Sequence, residues 1–387
     1  ADAGAHLCAA GIPILFPCFI RPASIFGSFA RQGGYRLVGR RLLGEHLVHL
    51  LGQDSDNHIY VTSRTVHKNQ ANVSYHVGNA HDDVFLFPLL KMQPWDVIVD
   101  FMAYSTVDFY NRVGVLLEST KQYMFLSSSR VYASQESPIR EDSMRLLDVS
   151  HDSIYLKTDE YALAKARQED ILRKSGKNNW TIIRPYITYS ESRLQLGVLE
   201  KEAWLYRALK GRTIVFSRDV LEKRTTLTYG YDVARSIVAL IGCHEAYSQA
   251  FHITVTESHT WGEILNLYLD VIERYTGKKA KLLILDKHPY QRDNRPFYQL
   301  IYDRYFNRTF DNTKIGKFVD VETFTPTMDG LTKCLEVFIV KQNFRNINWK
   351  EEAGRDRITK ECAKMGEFSS VKIMIKYFLC RFVSFLR

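Results

Sequence analysis

The order of its hydrophobic patterns restricts this chain more than anything else. LLGEHLVHLL (42–51) has apolar residues at helical spacing, HIYVTSR (58–64) reads as a strand and VSYHV (73–77) as a second. A helix follows around 83–91, a buried-type strand at WDVIVDF (95–101), a helix over 106–119 and a strand at YMFLSSS (123–129). A polar loop (133–156) leads to a long helix near 157–174, and WTIIRP (180–185) is a strand that Pro185 ends. Strands and helices alternating at this pitch require a parallel sheet covered on both faces. With right-handed crossovers, the chain is expected to be α/β, a doubly wound parallel sheet.

The second half is mixed. Asp232 reads as the N-cap of DVARSIVALIG, with Gly242 ending that helix. AFHITV (250–255) reads as a strand, and Thr260 to Glu263 as a capping box opening a helix to about Glu273. These pieces predict a smaller α+β C-terminal lobe. Residues 1–37 show neither helical nor strand periodicity and form an atypical N-terminal segment. The change to orderly text near Leu42 raises the expectation that residues 1–41 are not the natural ones.

Charge is unevenly spread. Residues 341–387 hold eleven Lys/Arg against five Asp/Glu, a net +6 of the chain's +9. A basic tail of this kind points to a local surface contact, whereas a basic domain would point to nucleic acid; no strong nucleic-acid signal is present. Within the tail, VKIMIKYFLCRFVSFL (371–386) predicts an amphipathic helix with Lys372 and Lys376 on one strip, suited to packing against the body of the protein or a second subunit, or alternatively to weak contact with a membrane. Elsewhere no apolar run approaches the ~18–20 residues of a membrane span. The cysteines, Cys8, Cys18, Cys243, Cys334, Cys362 and Cys380, form no C-x-x-C pair and have no zinc-ligand spacing, so no metal site is expected. They suit a reducing, cytoplasmic setting.

Tyr161-Ala-Leu-Ala-Lys165 places a phenol and an ammonium four residues apart, on one face of a helix. A free tyrosine titrates near pH ~10, too high for efficient proton transfer near neutrality. A neighbouring cation favours the phenolate, which suits general acid–base work. Y-x-x-x-K alone is common. Here SSSRVYA (127–133) follows the preceding strand, IIRPY (182–186) the next one and VIVDFMAYS (97–105) an earlier one. All three fall at the carboxyl ends of parallel strands, where such sheets bind ligands.

In these motifs, over roughly residues 38–275, the chain resembles the extended short-chain dehydrogenases/reductases, in particular the NAD-dependent epimerase/dehydratase group that acts on nucleotide sugars. The resemblance implies a Rossmann-like dinucleotide-binding domain over 38–190, to which 225–255 returns, and a mainly substrate-binding lobe over 191–340. It implies Tyr161 as acid/base, Lys165 as its modulator and ribose contact, and a catalytic Ser three residues before Val131. That is Ser128, with Ser129 the close competitor. The glycine-rich turn is incomplete. In one register Val38, Arg41 and Gly44 take the glycine places, with Gly39 beside the first; in the other, Gly33, Arg36 and Gly39 do. Cofactor contacts are then expected at Gly39 and Gly44, at Ser63, Arg64 and Asn79, and at Met102, Ala103, Lys165 and Pro185. The cofactor is NADP or NAD, and Arg64 favours NADP because a cation suits the 2′-phosphate. Expected partners are a nucleotide sugar, whose diphosphate Arg292, Arg295 or Arg304 could meet, and a second copy in a homodimer. The alternative is a catalytically inactive protein on the same fold, binding RNA or a protein partner.

Overall fold

The computed structural model describes residues 23–26, 39–288 and 297–383, with side chains of the first segments described from Leu43 on. Its first half is β1 (Ala23–Phe26), α1 (Gly39–Gly52), β2 (Ile59–Ser63), β3 (Val73–Val77), α2 (Asp83–Lys91), β4 (Trp95–Asp100), α3 (Thr106–Glu118) and β5 (Thr120–Leu126). Two short helices, α4 (Leu146–Val149) and α5 (Ser153–Leu156), interrupt the loop before α6 (Tyr161–Arg173) and β6 (Trp180–Pro185).

These strands form one parallel sheet of order β3-β2-β1-β4-β5-β6, to which β13 (Gln249–Ile253) adds at the edge beside β6. Alternation along each strand divides the side chains between two cores. Val97, Val99, Met124, Leu126 and Ile183 face α1 and a later helix, α9 (Gly230–Leu240), through Leu43, Leu47, Val233 and Ile237. Ile98, Tyr123, Phe125 and Ile182 face α2 and α3 through Leu86, Leu90, Phe109 and Leu116. A sheet buried on both faces explains why its strands read as continuous apolar runs.

The remaining elements build the second lobe. They are β7 (Ile187–Tyr189), β8 (Gln195–Leu196), β9 (Leu199–Glu200), α7 (Lys201–Leu209), β10 (Ile214–Ser217), α8 (Arg218–Leu221), β11 (Arg224–Thr225) and β12 (Leu227–Tyr229). After β13 come β14 (His259–Thr260), α10 (Trp261–Thr276), β15 (Leu282–Leu285), α11 (Thr327–Lys341), α12 (Trp349–Thr359) and α13 (Val371–Phe382). Its strands pair only in twos, and its core gathers Trp204, Trp261, Leu265, Tyr268 and Leu335.

Several boundaries differ from the sequence reading. A strand, β1, lies at 23–26 inside the segment set apart as atypical, and pairs with both β2 and β4. Four residues are too few to show a period. α1 begins at Gly39, ahead of Leu42. The serines at 127–129 lie beyond β5, because Ser127 is already bonding across to the carbonyl of Ile183. α6 begins at Tyr161, later than expected, because the Glu160 carboxylate accepts the Ala162 N–H and caps it. Asp232 is no N-cap: α9 starts at Gly230, and the Asp232 carboxylate lies in the first turn, accepting the Thr325 N–H at 2.9 Å. The Thr260/Glu263 capping box is present, and Gly277 ends α10 in the left-handed conformation.

Candidate active site

Beyond β5 the chain is extended at Ser128 and then tightens into a 3-10 turn over Ser129–Val131, and the three serines meet different partners. Ser127 Oγ donates to Glu169 Oε1 at 2.6 Å and Ser129 Oγ to the Arg184 carbonyl at 2.7 Å. Both face the interior. Ser128 points the other way. Its Oγ accepts the Arg130 N–H at 3.3 Å, which leaves its own proton to donate.

Tyr161 stands in the first turn of α6, half-buried, and Lys165 lies one turn on and almost wholly buried. The Lys165 ammonium donates to the Met102 carbonyl at 3.4 Å and sits 4.3 Å from the Phe125 ring centroid. It is therefore held at the carboxyl edge of β4 and β5. Arg130 ties the site together. Its backbone meets Ser128, its guanidinium lies 5.3 Å from the Tyr161 ring centroid, and it pairs with Glu160 at 2.6 Å and Asp303 at 3.7 Å. Burial disfavours its charge, but Glu160 and Asp303 outweigh that and hold the guanidinium ionised. The sequence reading passed over Arg130, Glu160 and Asp303; a cation two residues from the candidate serine was the available signal for the first.

Beneath the serines lies a buried ionic platform. Arg184 donates to both Glu169 oxygens, at 2.8 and 2.6 Å, and to Tyr132 Oη at 2.8 Å. Burial raises the Glu169 pKa, but Arg184 overcomes this and brings it down to about 2. Pro185 closes β6 next to this pair.

The expected cofactor contacts are spread along the same sheet edge. Ser63 ends β2 with its hydroxyl 3.2 Å from Thr65 Oγ1, Arg64 is exposed beside it, and Asn79 is exposed after β3, accepting the His81 N–H. Met102 is buried and Ala103 half-buried after β4. Gly39 opens α1. Gly44 lies within α1, and a Cβ there would meet no described atom within 4 Å outside its own helix. Gly33, Arg36 and Val38 of the two registers lie outside the described residues. The observed edge fits a dinucleotide in two respects: strand order reverses between β1 and β4, and Thr62 Oγ1, at the end of β2, is buried with no hydrogen-bond partner among the described residues.

Arg304 also departs from expectation. Its Nε donates to the Gly197 carbonyl at 2.9 Å and its Nη1 pairs with Asp303, so its guanidinium is consumed in the interior. Arg292 and Arg295 lie outside the described residues.

The parallel sheet with its order reversal, the helices on both faces and the appended lobe make a Rossmann-like α/β fold with a smaller second lobe. Solved structures share it. An epimerase from Methanothermobacter thermautotrophicus aligns with a TM-score of 0.62 and 14% identity, covering 84% of this chain and 94% of that one. The UDP-glucuronic acid 4-epimerase of Bacillus cereus, in complex with UDP-glucuronic acid and NAD, gives 0.59 and 16%, covering 84% and 100%. The dTDP-glucose 4,6-dehydratase of Bacillus anthracis, in complex with NAD, gives 0.59 and 15%, covering 83% and 98%. No protein-family model and no curated protein matches the sequence.

Proposed function

We propose that the chain is an NAD(P)-dependent enzyme of the epimerase/dehydratase or reductase type, acting on a nucleotide-activated sugar. What supports this reading is that Arg130 bonds Ser128 through its backbone and lies against the Tyr161 ring, while Lys165, one turn on from Tyr161, is held by the Met102 carbonyl. A nicotinamide bound there would accept or supply hydride at the sugar carbon. Tyr161 would take the proton from the hydroxyl on that carbon, or return it. Ser128, with its hydroxyl proton uncommitted, would donate a hydrogen bond to the same oxygen. Lys165 would hold a ribose hydroxyl and favour the phenolate by its charge.

Arg64 at the end of β2 supports NADP, whereas the NAD bound in the Bacillus structures supports NAD. Calorimetric titration of the purified chain with both cofactors decides between them. Turnover of UDP- and dTDP-sugars in the presence of the preferred one then tests the reading. A Tyr161→Phe variant is expected to bind cofactor unchanged and to lose roughly 10²–10⁴-fold in kcat. Absence of binding by either cofactor would sink the enzymatic reading and leave a protein that uses this fold to bind RNA or a protein partner.

A further inference from the structure

The basic C-terminal segment is folded onto the second lobe, and one face of its last helix is left uncovered. Tyr377 and Cys380 bury the inner face of α13 against Ala353 and Ala363, with Trp349 and Phe368 packed alongside. Tyr377 Oη also donates to Asp356 at 2.5 Å, fixing the rotation of the helix. On the outer face Val371, Ile375, Leu379 and Phe382 recur every three to four residues and are between 43% and 67% exposed. Lys372 and Lys376 are exposed and one turn apart beside this stripe. Between residues 364 and 387 the sequence holds five Lys/Arg and a single carboxylate, Glu367. That carboxylate is turned inward, accepting from Arg212 and Tyr206. The outer face is thus apolar and cationic, with no acidic group on α13.

A second copy of this face is a poor cover, because twofold pairing sets lysine strips against each other. Twelve residues span about 18 Å, well short of the ~30 Å hydrocarbon core. The helix can lie on a bilayer but not cross it. We propose that α13 docks this protein on an anionic membrane surface, with its apolar stripe among the acyl chains and the two lysines at the headgroups.

The test is co-sedimentation of the full chain with vesicles of phosphatidylcholine alone, and of equal parts phosphatidylcholine and phosphatidylglycerol. Binding is expected only to the second, and it should weaken with added salt. Lys372→Gln with Lys376→Gln should reduce the partition constant roughly thirty-fold, about five-fold per lysine. Ile375→Ser with Phe382→Ser should also release the protein. Both pairs are solvent-exposed, so an unchanged Tm verifies that the variants are folded. No sedimentation of the parent chain would overturn the proposal, as would equal binding by all three proteins. A dimer in solution that Ile375→Ser with Phe382→Ser dissolves would assign the face to a second copy instead.

Discussion

Three consecutive serines meet different partners because the chain is extended at Ser128 and tightens into a 3-10 turn at Ser129. Ser129 is fully buried and its hydroxyl satisfies the Arg184 carbonyl, while the Ser128 proton remains uncommitted among the described residues. Substitution should therefore separate stability from activity. Ser128→Ala is expected to fold normally and to lose roughly 10²–10³-fold in kcat, the usual effect of removing one donor to a reacting oxygen. Ser129→Ala should leave kcat near that of the parent but cost about 1 kcal/mol, the net worth of one buried hydrogen bond. Steady-state kinetics and urea midpoints on the two variants read this directly, and a reversed pattern would move the catalytic assignment to Ser129. From sequence the pair was indistinguishable. Counting from Val131 favoured Ser128, but the partners that decide, Glu169 and Arg184, lie far along the chain.

At the scale of elements, the sheet of the first half was legible because each strand fills two cores and each helix covers one. Their periods survive in the sequence, and α2, β3 and β6 fall where their patterns place them. β1 was not legible, since Ala23–Phe26 is too short for alternation to register. The C-terminal helices were expected to pack against the body of the protein among other readings, but the ion pairs that fix them were not legible, because the tail's buried carboxylates meet arginines far back in the chain. Arg207 is buried and donates to Glu352 at 2.9 Å and Asp356 at 2.7 Å, while Arg212 reaches Asp356 and Glu367, each at 2.9 Å. Burial pushes the Glu352 carboxyl up to about 7 despite both arginines, so desolvation outweighs the pairing at this group. Removing one cation should add to that imbalance. Arg207→Ala is expected to cost about 3–5 kcal/mol, because two buried carboxylates lose their main partner. The loss should appear as a lower urea midpoint and as early protease cleavage within 342–370. A midpoint within error of the parent would mean that α12 is held by apolar contacts alone.

The two lobes meet over β13, and that seam carries a titratable group. His252 is fully buried in β13, with its Nε2 2.7 Å from the Asp311 carbonyl and its Nδ1 3.3 Å from Tyr132 Oη, so segments from both halves close around one imidazole. Burial lowers its pKa to about 4, with the Asp311 backbone bond acting against that and the Arg184 charge adding to it. The folded protein therefore holds His252 neutral where an unfolded chain, with its imidazole near ~6.5, would take up a proton. The sign follows from linkage: the unfolded state binds more protons between these two values. The contribution of His252 is complete above about pH 6.5, declines as pH falls and is gone below about 4. A shift of this size corresponds to a loss on the order of 3 kcal/mol across the window. Glu169 stays ionised in the folded protein throughout the window, because its own pKa is about 2; its contribution begins to fall near pH 4.5, where an unfolded glutamate protonates, and is lost by about 2. Glu352, raised to about 7, works in the opposite direction as pH falls toward 4.5, so the His252 share is read from the difference between parent and variant melts. A His252→Asn variant should start from a lower Tm and lose less of it than the parent between pH 7 and pH 4. Parallel slopes in the two proteins would remove His252 from the account and place the acid sensitivity elsewhere in the seam.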